Sequence, residues 1–197
     1  MEQIQDGTGR GYVVKVDENN RLHTDTVSTP SEQNAATNGL SFNINTGIIT
    51  LTNASTKNAV MYVKNNEDYD LVVVLMLLQT GASTGGSGNI LVDVLRNPTT
   101  GTIVSGATSV EINQNKNFGS SRTLDATAYV GATGLTFTNG SKIFESILAT
   151  TTQRIPIETG GIVIPKGSSI GINITTSAGN SSMACEFALS CYLEAED

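Results

Sequence analysis

The two cysteines are the residues most able to do chemistry, and their spacing limits what they can do. Cys185 and Cys191 lie in a segment in which every second residue from Met183 to Leu193 is apolar. Such alternation predicts a half-buried β-strand. At about 3.3 Å per residue, the two Cα atoms would lie roughly 20 Å apart, whereas a disulfide needs them within about 7 Å. We therefore predict two free thiols packed as small core side chains, without a disulfide or a shared zinc ion.

The single histidine, His23, is the other residue that could support catalysis. A Ser-His-Asp triad would have to use it, but the chain contains no Gly-X-Ser-X-Gly nucleophile elbow. One histidine and two distant cysteines also cannot complete a tetrahedral zinc site. We therefore predict a protein that is not an enzyme, with no catalytic, cofactor-binding or metal-binding residues.

Acidic and glycine-rich segments imitate ligand-binding loops without completing them. Asn66, Asp68 and Asp70 match the first, third and fifth positions of a calcium loop, but Leu71 and Leu77 replace the required glycine and glutamate. The glycine-rich segment 81–88 lacks the Gly-Lys-Ser/Thr ending of a phosphate-binding loop. Both segments are therefore interpreted as connections. A cation held by carboxylates from separate loops stays open.

Composition excludes two classes of partner. The net charge is −7 and only 15% of residues are charged, with no cluster of lysine and arginine. Nucleic-acid binding needs a basic patch, so we expect no direct contact with DNA or RNA. The chain has no apolar run of 18 residues and no basic start followed by an apolar segment. We therefore expect neither a membrane-spanning helix nor a secretory signal.

The spacing of apolar residues and turn residues predicts an all-β protein. Short strand-like segments recur every 8–12 residues or so, separated by Gly, Asn and Pro, as in antiparallel β-sandwiches and barrels. The predicted organisation is an extended N-terminal arm over residues 1–11 and a single β-sandwich domain over residues 12–197.

Individual elements follow from local patterns. We predict hairpins over residues 12–28 and 40–52, the second with its turn at 45–47, and a helical turn after Pro30. The further predicted strands cover 59–64, 71–78, 90–96, 126–130, 154–158, 161–165, 168–176 and the C-terminal segment. Apolar residues at 143, 144, 147 and 148 have helical spacing and predict a short helix over 141–148.

Several of these turn-and-strand segments resemble virion structural proteins of tailed bacteriophages. The segments are Gly9–Tyr12, Val16–Asp17, Asn20–Leu22, Phe42–Gly47, Leu51–Thr52, Tyr62–Asp68 and Ile164–Ile172. The resemblance implies a jelly-roll-like sandwich that decorates or cements a capsid, commonly as a homotrimer. It also implies the major capsid protein as partner, a place on the outer surface of the virion, and synthesis in the host cytoplasm.

A decoration protein acts through surface contacts, so the candidate interface residues come from the arm and the loops. They are Ile4, Arg10, Tyr12, Phe118 and Arg122. The same features leave an alternative open, a tail or fibre protein that binds a receptor or glycan. A hydrolase built on a β-sandwich is a third alternative, because the 18 acidic residues offer many carboxylate pairs.

Overall fold

The protein is an antiparallel β-sandwich, as the sequence predicts. The computed structural model describes residues 30–52, 56–81, 84, 89–106, 108–109, 114–149, 153–176 and 182–194. The elements are α1 (Ser31–Thr37), β1 (Ser41–Leu51), β2 (Asn58–Asn65), β3 (Asp70–Thr80), β4 (Asn89–Arg96), α2 (Thr102–Gly106), β5 (Thr108–Ser109), β6 (Gln114–Asn115), β7 (Ala126–Val130), β8 (Ser141–Ala149), β9 (Gln153–Ile164), β10 (Ser169–Thr176) and β11 (Met183–Glu194).

Two sheets form the sandwich. One has the strand order β6-β1-β11-β3-β9, and the other has the order β5-β7-β2-β10-β4-β8. Inward-facing apolar side chains of both sheets form one core, in which Phe42, Phe187 and Ile172 are almost completely buried. Neither described helix is long and apolar enough to cross a membrane.

The C-terminal strand confirms the prediction made from its alternating residues. Along β11, burial alternates from Met183, and both cysteines point into the core as free thiols. Burial raises the pKa of Cys185 and of Cys191 to about 12, although the positive charge of Lys116 opposes the shift at Cys191. Buried neutral thiols of this kind are poor nucleophiles.

We expect the folded protein not to react with a thiol reagent such as dithionitrobenzoate at pH 8. Both thiols should react once the chain is unfolded in denaturant, because only then do Cys185 and Cys191 reach solvent and ionise. The measurement is a thiol titration with and without denaturant. Rapid reaction of either cysteine in the native protein would show that β11 opens locally.

The predicted hairpin over residues 40–52 is wrong, because this segment is one long strand. β1 pairs with β11 along its length, from Ser41 opposite Tyr192 to Leu51 opposite Met183, and a bulge lies between Asn45 and Ile48.

Local hydrogen bonds explain the bulge in β1. The side-chain Oδ1 of Asn45 accepts from the Gly47 backbone N–H at 2.7 Å, and the Thr46 hydroxyl accepts from the Phe187 backbone N–H at 2.9 Å. Gly47 has a φ of 65°, which glycine adopts without strain. The turn-forming residues therefore bend a strand.

The predicted helix over residues 141–148 is also wrong. This segment is β8, which pairs with β4 from Asn89 opposite Ala149 to Arg96 opposite Ser141. A bulge between Val94 and Leu95 interrupts the strict alternation of β8 against β4. The apolar pattern therefore imitates a helix, and pairing with β4 overrides this local signal.

Other predicted elements are confirmed or corrected in detail. Strands β2, β3, β4, β7 and β10 lie where the sequence predicts them, and α1 is the predicted helical turn after Pro30. The strands predicted at 154–158 and 161–165 form a single strand, β9, with an irregularity in its pairing to β3. The N-terminal arm, the hairpin over 12–28 and His23 lie outside the described residues, so these stay predictions.

Candidate interaction surface

Strands β8 and β9 form one side of the sandwich, which we call the open edge. Each is the last strand of its sheet, and no described strand pairs with its outer side. The two strands border the same groove of about 300 Å³. Ile143 of β8 and Val163 of β9 line it together with residues of β4 and β10.

The two long strands of the open edge contrast with the strands at the opposite ends of the sheets. The described parts of β5 and β6 are two residues each, Thr108–Ser109 and Gln114–Asn115. By comparison, β8 has 9 residues and β9 has 12. Long unpaired strand edges are templates for pairing with another chain, and proteins usually protect them.

The open edge is also the most apolar part of the described surface. Seven large apolar side chains are exposed on the described surface as a whole, and four of them lie on β8 and β9. They are Ile143, Phe144, Ile147 and Val163, and Ile147 is the most exposed of the four at 63%. Exposed apolar groups concentrated in this way are typical of interaction sites.

The two strands differ in how well they are protected against pairing. In β9, Pro156 lacks a backbone N–H, and Gly161 has a φ of 90°, so the outer edge of β9 is irregular. The sequence of β8, from Ser141 to Ala149, contains neither proline nor glycine. Strand β8 is therefore the part of the open edge best able to accept a partner.

A cluster of charges attaches β8 to the rest of its sheet. Asp93 of β4 lies opposite Glu145 of β8, and its carboxylate is only 6% exposed. Asp93 Oδ2 accepts from Lys57 Nζ at 2.7 Å, and its Oδ1 lies 3.5 Å from Lys142 Nζ. Lys142 also forms an ion pair with Glu145. The cluster therefore links β8 to β4 and to the residue preceding β2.

The ionisation of Asp93 follows from these neighbours. Burial by itself would raise its pKa, but the hydrogen bond and charge of Lys57 offset that effect, and Glu145 and Lys142 act in the same direction as Lys57. The pKa of Asp93 consequently lies below its ordinary value of 3.8. The carboxylate is thus fixed in an ionised, ion-paired state, which is typical of a structural group.

We expect Asp93→Asn to lower the free energy of unfolding at pH 7 by roughly 1 to 3 kcal/mol, because it removes a buried charge-assisted hydrogen bond. Since the pKa of Asp93 is lower in the folded chain, its contribution is present above about pH 4 and is lost as the pH falls below that. The difference between the two proteins should therefore shrink by pH 3. Urea unfolding at both pH values measures it.

Asp70→Asn is the matched control for this prediction, because Asp70 lies at the partly exposed start of β3. It should change the free energy of unfolding by less than about 0.5 kcal/mol. Equal stability of Asp93→Asn and the wild type at pH 7 would contradict the stabilising role of the ion pairs.

Of the interface residues predicted from the sequence, two fall in the described part of the chain. Phe118 lies in a turn after β6, and its side chain is fully exposed. Arg122 is partly buried, with Nη2 3.3 Å from Glu67 Oε2 and its guanidinium 6.0 Å from the Tyr69 ring centre. Arg122 therefore joins the segment before β7 to the turn between β2 and β3. Ile4, Arg10 and Tyr12 lie outside the described residues.

The sequence-based selection missed the apolar residues of the open edge. The sequence patterns place Ile143 and Ile147 in a helix and Val163 in a strand, and neither prediction indicates that these side chains are exposed. The available signal was the apolar-rich segment 141–149, which contains neither glycine nor proline, as in an edge strand with few interruptions.

The segment that imitates a calcium loop is a turn between β2 and β3. Asp68 forms an ion pair with Lys166, and Asn65 donates to the carbonyl oxygens of Tyr69 and Ile164. Within the described ranges, no group of three or more His, Cys, Asp or Glu side chains is placed to hold a metal ion.

Comparison with known proteins does not assign the chain to a group. No protein-family model matches it, and no curated protein is significantly similar to it in sequence.

Proposed function

We propose that this protein is a structural subunit of a bacteriophage virion, which decorates or cements the capsid as a homotrimer. The observation that carries the proposal is the open edge, where Ile143, Ile147 and Val163 are exposed on two strands whose outer sides pair with no described strand. Such an edge is costly for a monomer, because it exposes apolar area and unpaired backbone groups, and docking to a neighbour removes both costs.

The strand order supports the proposal. The eight longest strands lie in the orders β1-β11-β3-β9 and β2-β10-β4-β8. This interleaving supports a jelly-roll-like arrangement of two Greek keys, an architecture found in capsid proteins, lectins and cupins. The fold is compatible with a virion role but does not by itself specify it. The resemblance of several segments to phage virion proteins favours this role over a receptor-binding tail protein and over a hydrolase.

A homotrimer would use the open edge asymmetrically. In a closed ring of three copies, each interface joins one surface patch to a different patch on the next copy. Strand β8 would supply one of these patches, and the remaining outward surface would contact the major capsid protein. Small contributions from many copies then add up across the shell, which requires no active site.

Two measurements test the proposed function. The mass of the purified protein in solution should correspond to three copies, and labelled protein should map to the outer surface of intact phage particles. Absence of the protein from purified particles would overturn the virion role. A monomeric mass at micromolar concentration would overturn the trimer.

A further inference from the structure

A second surface lies on the outward face of the five-stranded sheet. Gln114, Asn43, Ser190 and Leu75 are cross-strand neighbours on β6, β1, β11 and β3. These residues line two adjoining depressions of about 220 and 590 Å³, which share Asn43 and Gln114. We call this surface the amide groove.

The amide groove offers unused hydrogen-bonding groups. The side-chain amides of Asn43 and Gln114 form no hydrogen bond with the part of the chain that the structure describes. Each amide has a carbonyl acceptor and two N–H donors. Two neighbouring amides on adjacent strands can therefore donate to one ligand oxygen and accept from another.

Apolar surface lies next to these amides. Leu75 and Leu77 of β3 are half-buried and form the floor of the smaller depression. Ala188 of β11, the strand between β1 and β3, has a small side chain that leaves room above this floor. Phe118 stands at the far side of the larger depression with its ring fully exposed. A flat apolar floor and a free aromatic ring suit a ligand that has both apolar faces and polar edges.

The charged groups at the amide groove are already partnered. Lys116 forms an ion pair with Glu32 at 2.8 Å and also donates to the Ser190 hydroxyl. Glu186 accepts from the Asn45 amide at 2.9 Å. Lys116 is the cation among the described residues that line the groove, and it is already paired, so an anionic ligand would find no free counter-charge there.

We propose that the amide groove binds a neutral glycan. Hydroxyl groups of a sugar ring both donate and accept, which matches the free amides of Asn43 and Gln114, and the apolar face of the ring would stack on Phe118. An extended peptide is less suited, because peptides pair with strand edges through backbone groups, and this surface is a sheet face. A second copy is less suited as well, since the exposed apolar side chains concentrate on the open edge.

The test begins with an array of neutral oligosaccharides from bacterial surfaces, with sialylated and sulfated glycans on the same array. The oligosaccharide that binds best is then titrated by calorimetry into the wild type, Asn43→Ala, Gln114→Ala and Phe118→Ala. The matched control is Ile48→Ala, because Ile48 is also strongly exposed but lies in the bulge of β1, outside the groove. Melting temperatures show that all variants stay folded.

We expect a neutral oligosaccharide to bind, and each of the three groove variants to weaken its binding by roughly tenfold, about the effect of one well-formed hydrogen bond or one ring contact. The control should bind like the wild type. No binding to neutral glycans, preference for charged ones, or unchanged binding in all three variants would overturn the proposal. So would protection of Phe118 from solvent in the glycan-free oligomer, which would make this face a contact between copies.

This inference does not depend on the proposed virion role. A protein absent from phage particles could still bind the glycan, and a virion protein could fail to bind it. The two proposals therefore fail through different measurements.

Discussion

Replacing Ile147 by lysine should convert the proposed homotrimer into monomers. Ile147 is 63% exposed on β8, the strand of the open edge that contains neither proline nor glycine. A charged side chain there would have to be desolvated in any contact between copies, and lysine on an edge strand is a known device against pairing. Truncation or replacement of a central interface residue often costs about 2 kcal/mol or more, which corresponds to at least roughly 30-fold weaker association.

Sedimentation velocity over a range of concentrations measures this effect. Ile48→Lys is the control, because Ile48 is 80% exposed in the bulge of β1 and is not part of the open edge. Both variants should melt like the wild type, since neither side chain belongs to the core. Unchanged sedimentation of Ile147→Lys would show that the open edge is not the interface, whereas dissociation of Ile48→Lys would move the interface to the bulge.

Gly131→Ala should be among the most destabilising single substitutions in the chain. A Cβ at this position would lie 1.8 Å from the Ala59 carbonyl oxygen and 2.5 Å from the Val60 Cα. Both atoms belong to the backbone of the β2 region, and Gly131 N donates to the Val60 carbonyl at 2.8 Å. Relief of the clash therefore requires the chain after β7 to move away from β2 and lose this hydrogen bond.

We expect a loss of about 3 kcal/mol or more in the free energy of unfolding, at or beyond the upper range for overpacked sites. Urea unfolding monitored by circular dichroism measures it. Gly119→Ala is the control, because the nearest atom to its Cβ would be Asn117 Oδ1 at an ordinary 3.5 Å. Equal unfolding midpoints for the two variants would show that the backbone near Gly131 yields without cost.

The comparison of β11 and β8 shows why some elements could be predicted and others could not. In β11, the alternation from Met183 to Leu193 is regular, and one face is buried throughout. The sequence pattern therefore predicts both the strand and the burial of the two thiols. In β8, Ile143 and Phe144 are adjacent and both exposed, and a bulge interrupts the pairing with β4. No local pattern distinguishes that arrangement from one side of a helix.

The same distinction applies to turns. Asn97, with a φ of 49°, ends β4 just before Pro98, where the sequence places the end of a strand. Asn45–Gly47 has an equally strong turn pattern, but the segment continues as β1 because β11 pairs with both halves. Residues 132 to 151 positions away along the chain decide that outcome, since Leu51 pairs with Met183 and Ser41 with Tyr192.

Local residue patterns were enough to predict the β class of this protein, the strand character of most elements and the burial of its cysteines. These properties follow from side-chain alternation and backbone preference, which act over a few residues. The tertiary structure alone decided which strands pair, where bulges replace turns, and which strands stay at the open edge. Those features depend on hydrogen bonds between segments far apart in the chain, so a local pattern carries too little information to specify them.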